Sequence, residues 1–158
     1  MGEVSSSPAP TSRSGDIARL IGRLVLAGFL AFAGVGHFNN PDEFMAQVPP
    51  WMPAPEAVVA ISGVVEIGMA IALVALGRWR VQVGWFVAAF FVLVFPGNIS
   101  QFVTQTDAFG LDSDLARFIR LLFQPVLVVW ALWCTGAWRA WRARGTRDVG
   151  DSAETATG

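Results

Sequence analysis

AVVAISGVVEIGMAIALVAL, residues 57–76, is apolar over its whole length except at Ser62 and Glu66. A hydrocarbon core of ~30 Å is crossed by about 20 helical residues, so this one stretch is long enough to span a bilayer. It also lacks a polar face. A helix that is apolar all round is either a membrane span or the interior of a much larger protein, and the chain has only 158 residues. Three more apolar stretches lie around it, at about residues 17–38, 81–96 and 118–138. The first and third are shorter, but Arg and Trp anchors flank them, and tilt or snorkelling accommodates a few residues either way. The expected fold is therefore all-α, a four-helix transmembrane bundle over residues 16–142. Residues 1–15 (Ser, Pro, Ala, Thr) and 143–158 (Gly, Thr, Asp, Ala) carry no apolar period and read as disordered tails.

Composition agrees. Hydrophobic residues make up 54% and charged residues 15%, against about a quarter charged in soluble domains; mean hydropathy is +0.52. The net charge of −1 offers nucleic acid no attractive field. Cys134 is the single cysteine and His37 the single histidine. That excludes an intramolecular disulfide, a CxxC redox pair and a conventional zinc or haem ligand set.

All 11 basic residues are Arg, and their placement sets orientation. Arg13, Arg19 and Arg23 precede span one, Arg78 and Arg80 separate spans two and three, and Arg139, Arg142, Arg144 and Arg147 follow span four. With four spans these fall on one side, which predicts both termini in the cytoplasm. The opposite side has Arg117 and Arg120 and a set of acidic residues, Asp42, Glu43, Glu56, Asp107, Asp112 and Asp114. Ala31-Phe32-Ala33 resembles a signal-peptidase site, but the region before it is long for a secretory leader, so an uncleaved first span is expected.

Small residues share helix faces: Ala27, Ala31 and Gly34; Gly63 and Ala70 beside Glu66; Gly84 and Ala88. In lipid such stripes mark close helix contact. Glu66 stands out because a carboxylate in mid-span is costly unless paired, hydrogen-bonded or protonated. Ser62, one turn away, is an available donor, and Arg120, long and always charged, is the expected partner. Arg120 and Gln124 share a face of span four. His37 ends span one, and Asn98, just past Pro96, reads as a cap or turn at the end of span three. Pro125 leaves the Leu121 carbonyl without its helical donor. His37, Ser62, Glu66, Asn98, Arg120 and Gln124 are thus expected to converge in one polar pocket in the outer half of the membrane. Two uses of it stand side by side: a structural clamp that sets helix register, or a ligand or proton site. The Pro-rich stretch 48–55 reads as a rigid outer loop, with Trp51 anchored among headgroups.

These residues carry a resemblance. Ala33-Gly34-Val35-Gly36-His37-Phe38 followed by Pro41 and Phe44, then Pro49-Pro50-Trp51-Met52-Pro53, then Ser62-Gly63-Val64-Val65-Glu66-Ile67, then Phe95-Pro96-Gly97-Asn98, then Arg120 with Gln124, resemble in order and spacing the DoxX-like family of small bacterial integral membrane proteins. The likeness covers about residues 24–138. The chain departs from the family at Gly97, where Ala is common, and in the position of Pro125. The resemblance implies a four-helix membrane bundle in the bacterial plasma membrane, associated with quinone-linked oxidoreductases or oxidative-stress assemblies.

Three functions are consistent with these readings. The first is a non-catalytic accessory or assembly subunit that docks on a larger membrane redox complex or self-associates. The second is a subunit of an oxidoreductase that binds a quinone or lipid in the polar pocket, with Arg120 or His37 donating to a carbonyl and Glu66 relaying protons. The third is a small oligomeric transporter, disfavoured because spans two and three lack the broken-helix pair of secondary transporters. The first is the leading expectation, with no catalysis by the chain alone and no metal.

Overall fold

The computed structural model describes residues 13–110 and 113–145. Helix α1 spans Arg13–Asn39, the short α2 Pro41–Met45, α3 Pro55–Ala75, α4 Arg80–Thr104 and α5 Asp114–Thr135. A 3-10 turn, Gly77–Trp79, joins α3 to α4, and residues 137–145 are helical again after Gly136. The described residues contain no strand. Four of the helices are long and apolar enough to cross a membrane. The chain is a multi-pass membrane protein built as an all-α four-helix bundle.

Helix ends follow local chemistry. Pro55 opens α3 in the first turn, where its missing N–H is no loss. Ser113 caps α5 by accepting from the Ala116 N–H at 3.3 Å. Gly136, with φ +77°, ends α5 in the left-handed conformation that glycine adopts freely.

The helices pack mainly as two pairs, α1 with α3 and α4 with α5, joined along α1 and α5. Both pairs are antiparallel and both depend on missing side chains. Gly34 of α1 and Gly63 of α3 face each other so closely that a Cβ on Gly34 would lie 2.9 Å from the Gly63 carbonyl oxygen. On the other side, a Cβ on Gly84 of α4 would lie 2.7 Å from Cβ of Thr135 on α5. With no hydrophobic force between helices in lipid, this close approach is what lets dispersion hold them. The small-residue faces are buried as expected at Ala27, Gly34, Gly63, Ala70, Gly84 and Ala88, with Ala31 half-buried. Leu26, Leu30, Leu73 and Val87 fill the centre.

Outside, the bundle is apolar. Phe32 is 82% exposed, Leu93 75% and Val129 66%, an arrangement suited to lipid and not to water. The up-and-down course brings the start of α1, the α3–α4 turn and the end of α5 to one end, because Gly22 lies against Trp133 and Gly84 against Thr135. Arg13, Arg19, Arg23, Arg78, Arg80, Arg139, Arg142 and Arg144 all belong to that end.

Several expected boundaries shift. Helix α1 starts at Arg13, before the expected boundary at residue 15, and residues 143–145, expected in the tail, are helical; residues 1–12 and 146–158, with Arg147, and residues 111–112, with Asp112, lie outside the described residues. Span three does not stop at 96: α4 runs through Pro96 to Thr104. Span four begins earlier, at Asp114, where Ser113 supplies the cap. Ala31-Phe32-Ala33 lies within the unbroken α1.

Gly84→Ala should lower the thermal unfolding midpoint of the detergent-solubilised protein, by the equivalent of about 1–3 kcal/mol for an overpacked contact. Thr135→Gly in the same chain removes the facing Cβ and should recover part of the loss. Gly28→Ala, where a Cβ meets nothing within 4 Å, should not lower the midpoint. Wild-type melting of Gly84→Ala would contradict this close α4–α5 approach.

Candidate functional site

The polar groups gather at the end of the bundle opposite the arginine-rich one, beneath the segment 40–54 that connects α1 to α3. They form two centres. In the first, His37 of α1 faces Glu66 of α3, with Nδ1 3.4 Å from the carboxylate Oε2. The same Nδ1 lies 2.8 Å from the Ala33 carbonyl oxygen. A carbonyl only accepts, so Nδ1 carries the hydrogen and donates it there. Glu66 Oε2 is buried and makes no hydrogen bond. Gly63 makes the pairing possible, since a Cβ at that position would lie 2.8 Å from Cβ of His37.

The second centre is built around Arg120 of α5. Its Nη2 donates to Gln47 Oε1 at 2.6 Å, and its Nε to Asn98 Oδ1 at 3.3 Å. Asn98 Nδ2 donates to Gln124 Oε1 at 2.8 Å. Gln124 Nε2 in turn donates to the Phe91 carbonyl at 2.7 Å, in the turn of α4 that precedes Pro96. Gln47 Nε2 donates back to the Glu43 carbonyl at 3.2 Å. The chain of donors thus runs from the loop after α2, through α5 and α4, into the backbone of α4.

Aromatic rings connect the two centres. Phe44 stacks on the His37 ring at 3.7 Å between centroids, Phe109 meets Phe44 edge-on at 4.8 Å, and the Arg120 guanidinium carbon lies 4.9 Å from the Phe109 ring centre. Phe109 holds φ +56°, an uncommon region for a bulky side chain that persists only when the surroundings fix it. Here its N–H donates to Glu43 Oε2 while its ring lies between Phe44 and Arg120. Glu66 and Arg120 therefore stand at opposite ends of a His–Phe–Phe–Arg stack.

This corrects the expected Glu66–Arg120 pair. Glu66 faces His37; Arg120 is engaged by neutral amides and an aromatic face. Ser62 is half-buried and makes no hydrogen bond to Glu66. Asn98 is not a terminal cap; it lies inside α4, because the helix continues past Pro96. Such a proline is tolerated where neighbouring groups re-satisfy the backbone. Of the six expected residues, His37 and Glu66 meet, and Asn98, Arg120 and Gln124 meet.

Sequence reasoning missed Gln47, whose side chain is covered by the fold of its own loop, and the rings of Phe44 and Phe109. It also passed over Arg117, only 6% exposed. Arg117 donates to Asp114 at 2.9 Å and to Asp107, fastening the loop between α4 and α5. The Asp114–Arg117 spacing of three was a readable signal. Gln101, 1% exposed, supports the same loop through a 3.4 Å contact to the Thr106 carbonyl.

A family model described as a domain of unknown function, DUF8561, matches residues 26–135. The chain belongs to that family. The DUF8561 region takes in both polar centres, the ring stack, the loop that covers them and the Arg78–Arg80 turn, and leaves out the arginines before residue 26 and after residue 135. No curated protein and no solved structure matches the chain. Among the described residues, no cluster of His, Cys, Asp and Glu is placed to hold a metal ion.

A double-mutant cycle on Gln47→Ala and Arg120→Ala, read by unfolding in detergent, should give a coupling of about 1.5–3 kcal/mol, the range for a hydrogen bond to a charged group. Ser62→Ala paired with Glu66→Gln should give none. Additive effects of Gln47 and Arg120 would break the proposed link between loop and bundle.

Proposed function

We propose that this chain is a DoxX-like accessory subunit of the bacterial plasma membrane, with both termini in the cytoplasm, that stabilises or assembles a larger membrane redox complex and does not itself catalyse a reaction. The observation that carries this reading is the closure of the Arg120 network. Gln47, Asn98, Gln124 and the Phe91 carbonyl take up its hydrogen bonds in sequence. Groups already satisfied by one another lock three segments together and leave little to offer a substrate. The exterior supports the same reading, since α1, α3, α4 and α5 all present large apolar side chains outward, where a partner's helices can pack as well as lipid. The cytoplasmic placement of the termini rests on the arginine-rich end, since Arg accumulates on the cytoplasmic side of membrane proteins.

One observation favours a second reading, a quinone- or lipid-binding subunit. Glu66 Oε2 is buried without a hydrogen bond beside His37, and buried ionisable groups within spans mark functional positions by default. In that reading His37 and Glu66 receive and pass protons while the ring stack lies beside the bound ligand.

Purification of the tagged chain from native membranes in mild detergent separates the two. The accessory reading expects a membrane protein at fixed stoichiometry, lost with Arg120→Ala. Recovery of the chain alone, carrying a quinone that Glu66→Gln abolishes, would replace it with the second reading. Recovery alone and without ligand would remove both.

A further inference from the structure

At the arginine-rich end the bundle has an open seam. Helices α3 and α4 are neighbours through the Gly77–Trp79 turn, yet each packs mainly against a different helix, so they touch only sparingly. A groove runs between them, lined by Val65, Gly68, Ala72 and Leu76 of α3, and by Trp79 and Phe86. Its floor stays low because Gly68 and Ala72 carry no bulk, and a Cβ on Gly68 would meet nothing within 4 Å. From Val65 to Leu76 the groove follows roughly 16 Å of helix at 1.5 Å per residue. One leaflet of a bilayer core is about 15 Å deep. The groove therefore has the length and polarity of one acyl chain, and it opens at Trp79, where a headgroup would sit.

That mouth is cationic. Arg78 and Arg80 flank Trp79, both are exposed, and neither forms an ion pair with a carboxylate among the described residues. Arg78 is held over the Trp79 ring at 5.4 Å, which places its guanidinium beside the groove entrance with its N–H groups unused in that contact. Gln82, also on the lining, adds an amide one turn inward. An apolar groove about one leaflet long, ending at a tryptophan that carries Arg78 on its ring and is followed in the chain by Arg80, is complementary to an anionic amphiphile. We infer that the α3–α4 seam binds an anionic glycerophospholipid, one acyl chain lying along Gly68 and Ala72 and the phosphate on Arg78 and Arg80. This site is separate from the polar centres at the other end and does not depend on the accessory reading.

The test uses the purified full chain in a delipidating detergent, titrated with phosphatidylglycerol or phosphatidylcholine of identical acyl chains and read by native mass spectrometry. Wild type should prefer phosphatidylglycerol, and the preference should fall by about fivefold for each arginine removed. The Arg78→Gln, Arg80→Gln double variant should bind both lipids alike. Gly68→Leu, placed where there is room and so compatible with folding, should reduce occupancy by both lipids while the melting midpoint is kept. Arg139→Gln with Arg142→Gln should leave the preference intact. Equal binding of the two lipids by wild type, a preference that survives loss of Arg78 and Arg80, full occupancy in Gly68→Leu, or displacement of phosphatidylglycerol by a long-tailed benzoquinone in wild type and double variant alike would each overturn the assignment.

Discussion

A polar group in hydrocarbon that finds no partner costs several kcal/mol, and the half of this bundle away from the arginine-rich end is organised by that penalty. Arg120, Asn98 and Gln124 lie on spanning helices, so each must be met by protein. Meeting them requires that α4 and α5 hold one register and that Gln47 be drawn in from the connecting segment. Pro96 lies inside α4 without ending it, as prolines of spanning helices can where neighbouring helices pack around them, and in the preceding turn Gln124 of α5 donates to the Phe91 carbonyl. Gln47 thus adds a polar tie to the α2 segment, which Phe44 already seats on His37.

Close backbone approach is the second constraint, and it divides the bundle. Gly34 against Gly63 and Gly84 against Thr135 bring α1 to α3 and α4 to α5 within van der Waals contact. Each contact uses the small faces of its two helices. What remains for α3 against α4 is a loose seam with small residues, Gly68 and Ala72, at its floor and larger side chains at its walls. The groove in that seam is thus a consequence of how the small residues are distributed, and it lies at the end where the arginines are.

The two ends of the molecule consequently differ in kind. At one end, loops fold back, a short helix and three left-handed non-glycine residues, Ala54, Gln105 and Phe109, shape a cover, and buried polar groups are shared between segments. At the other, the turn is tight, the tryptophans Trp79, Trp85, Trp138 and Trp141 are exposed, and so are Arg78, Arg80, Arg139, Arg142 and Arg144. Such asymmetry is what an interface with lipid headgroups on one side and a closed, rigid cap on the other would look like.

The sequence by itself determined that there are four spans and roughly where they lie, because hydrocarbon thickness sets a length and an apolar composition that 57–76 meets without ambiguity. It also determined which faces pack, through the glycines and alanines, and it singled out His37, Ser62, Glu66, Asn98, Arg120 and Gln124 as polar groups within apolar runs, though as one pocket where the structure has two centres and leaves Ser62 out of both. Only the tertiary structure decided who those partners are. Depth and charge pointed Glu66 to Arg120, but pairing depends on the rotation of each helix about its axis, and the Gly34–Gly63 contact turns Glu66 toward His37. The role of Gln47, Phe44 and Phe109 was hidden for the same reason: they lie in short irregular segments with no period to read, and their positions follow from the bundle they close over. The course of α4 through Pro96 escaped because a proline in a spanning helix need not end it where neighbouring helices pack around it, and the start of α5 at Asp114 because its first turn, capped by Ser113, precedes the apolar run.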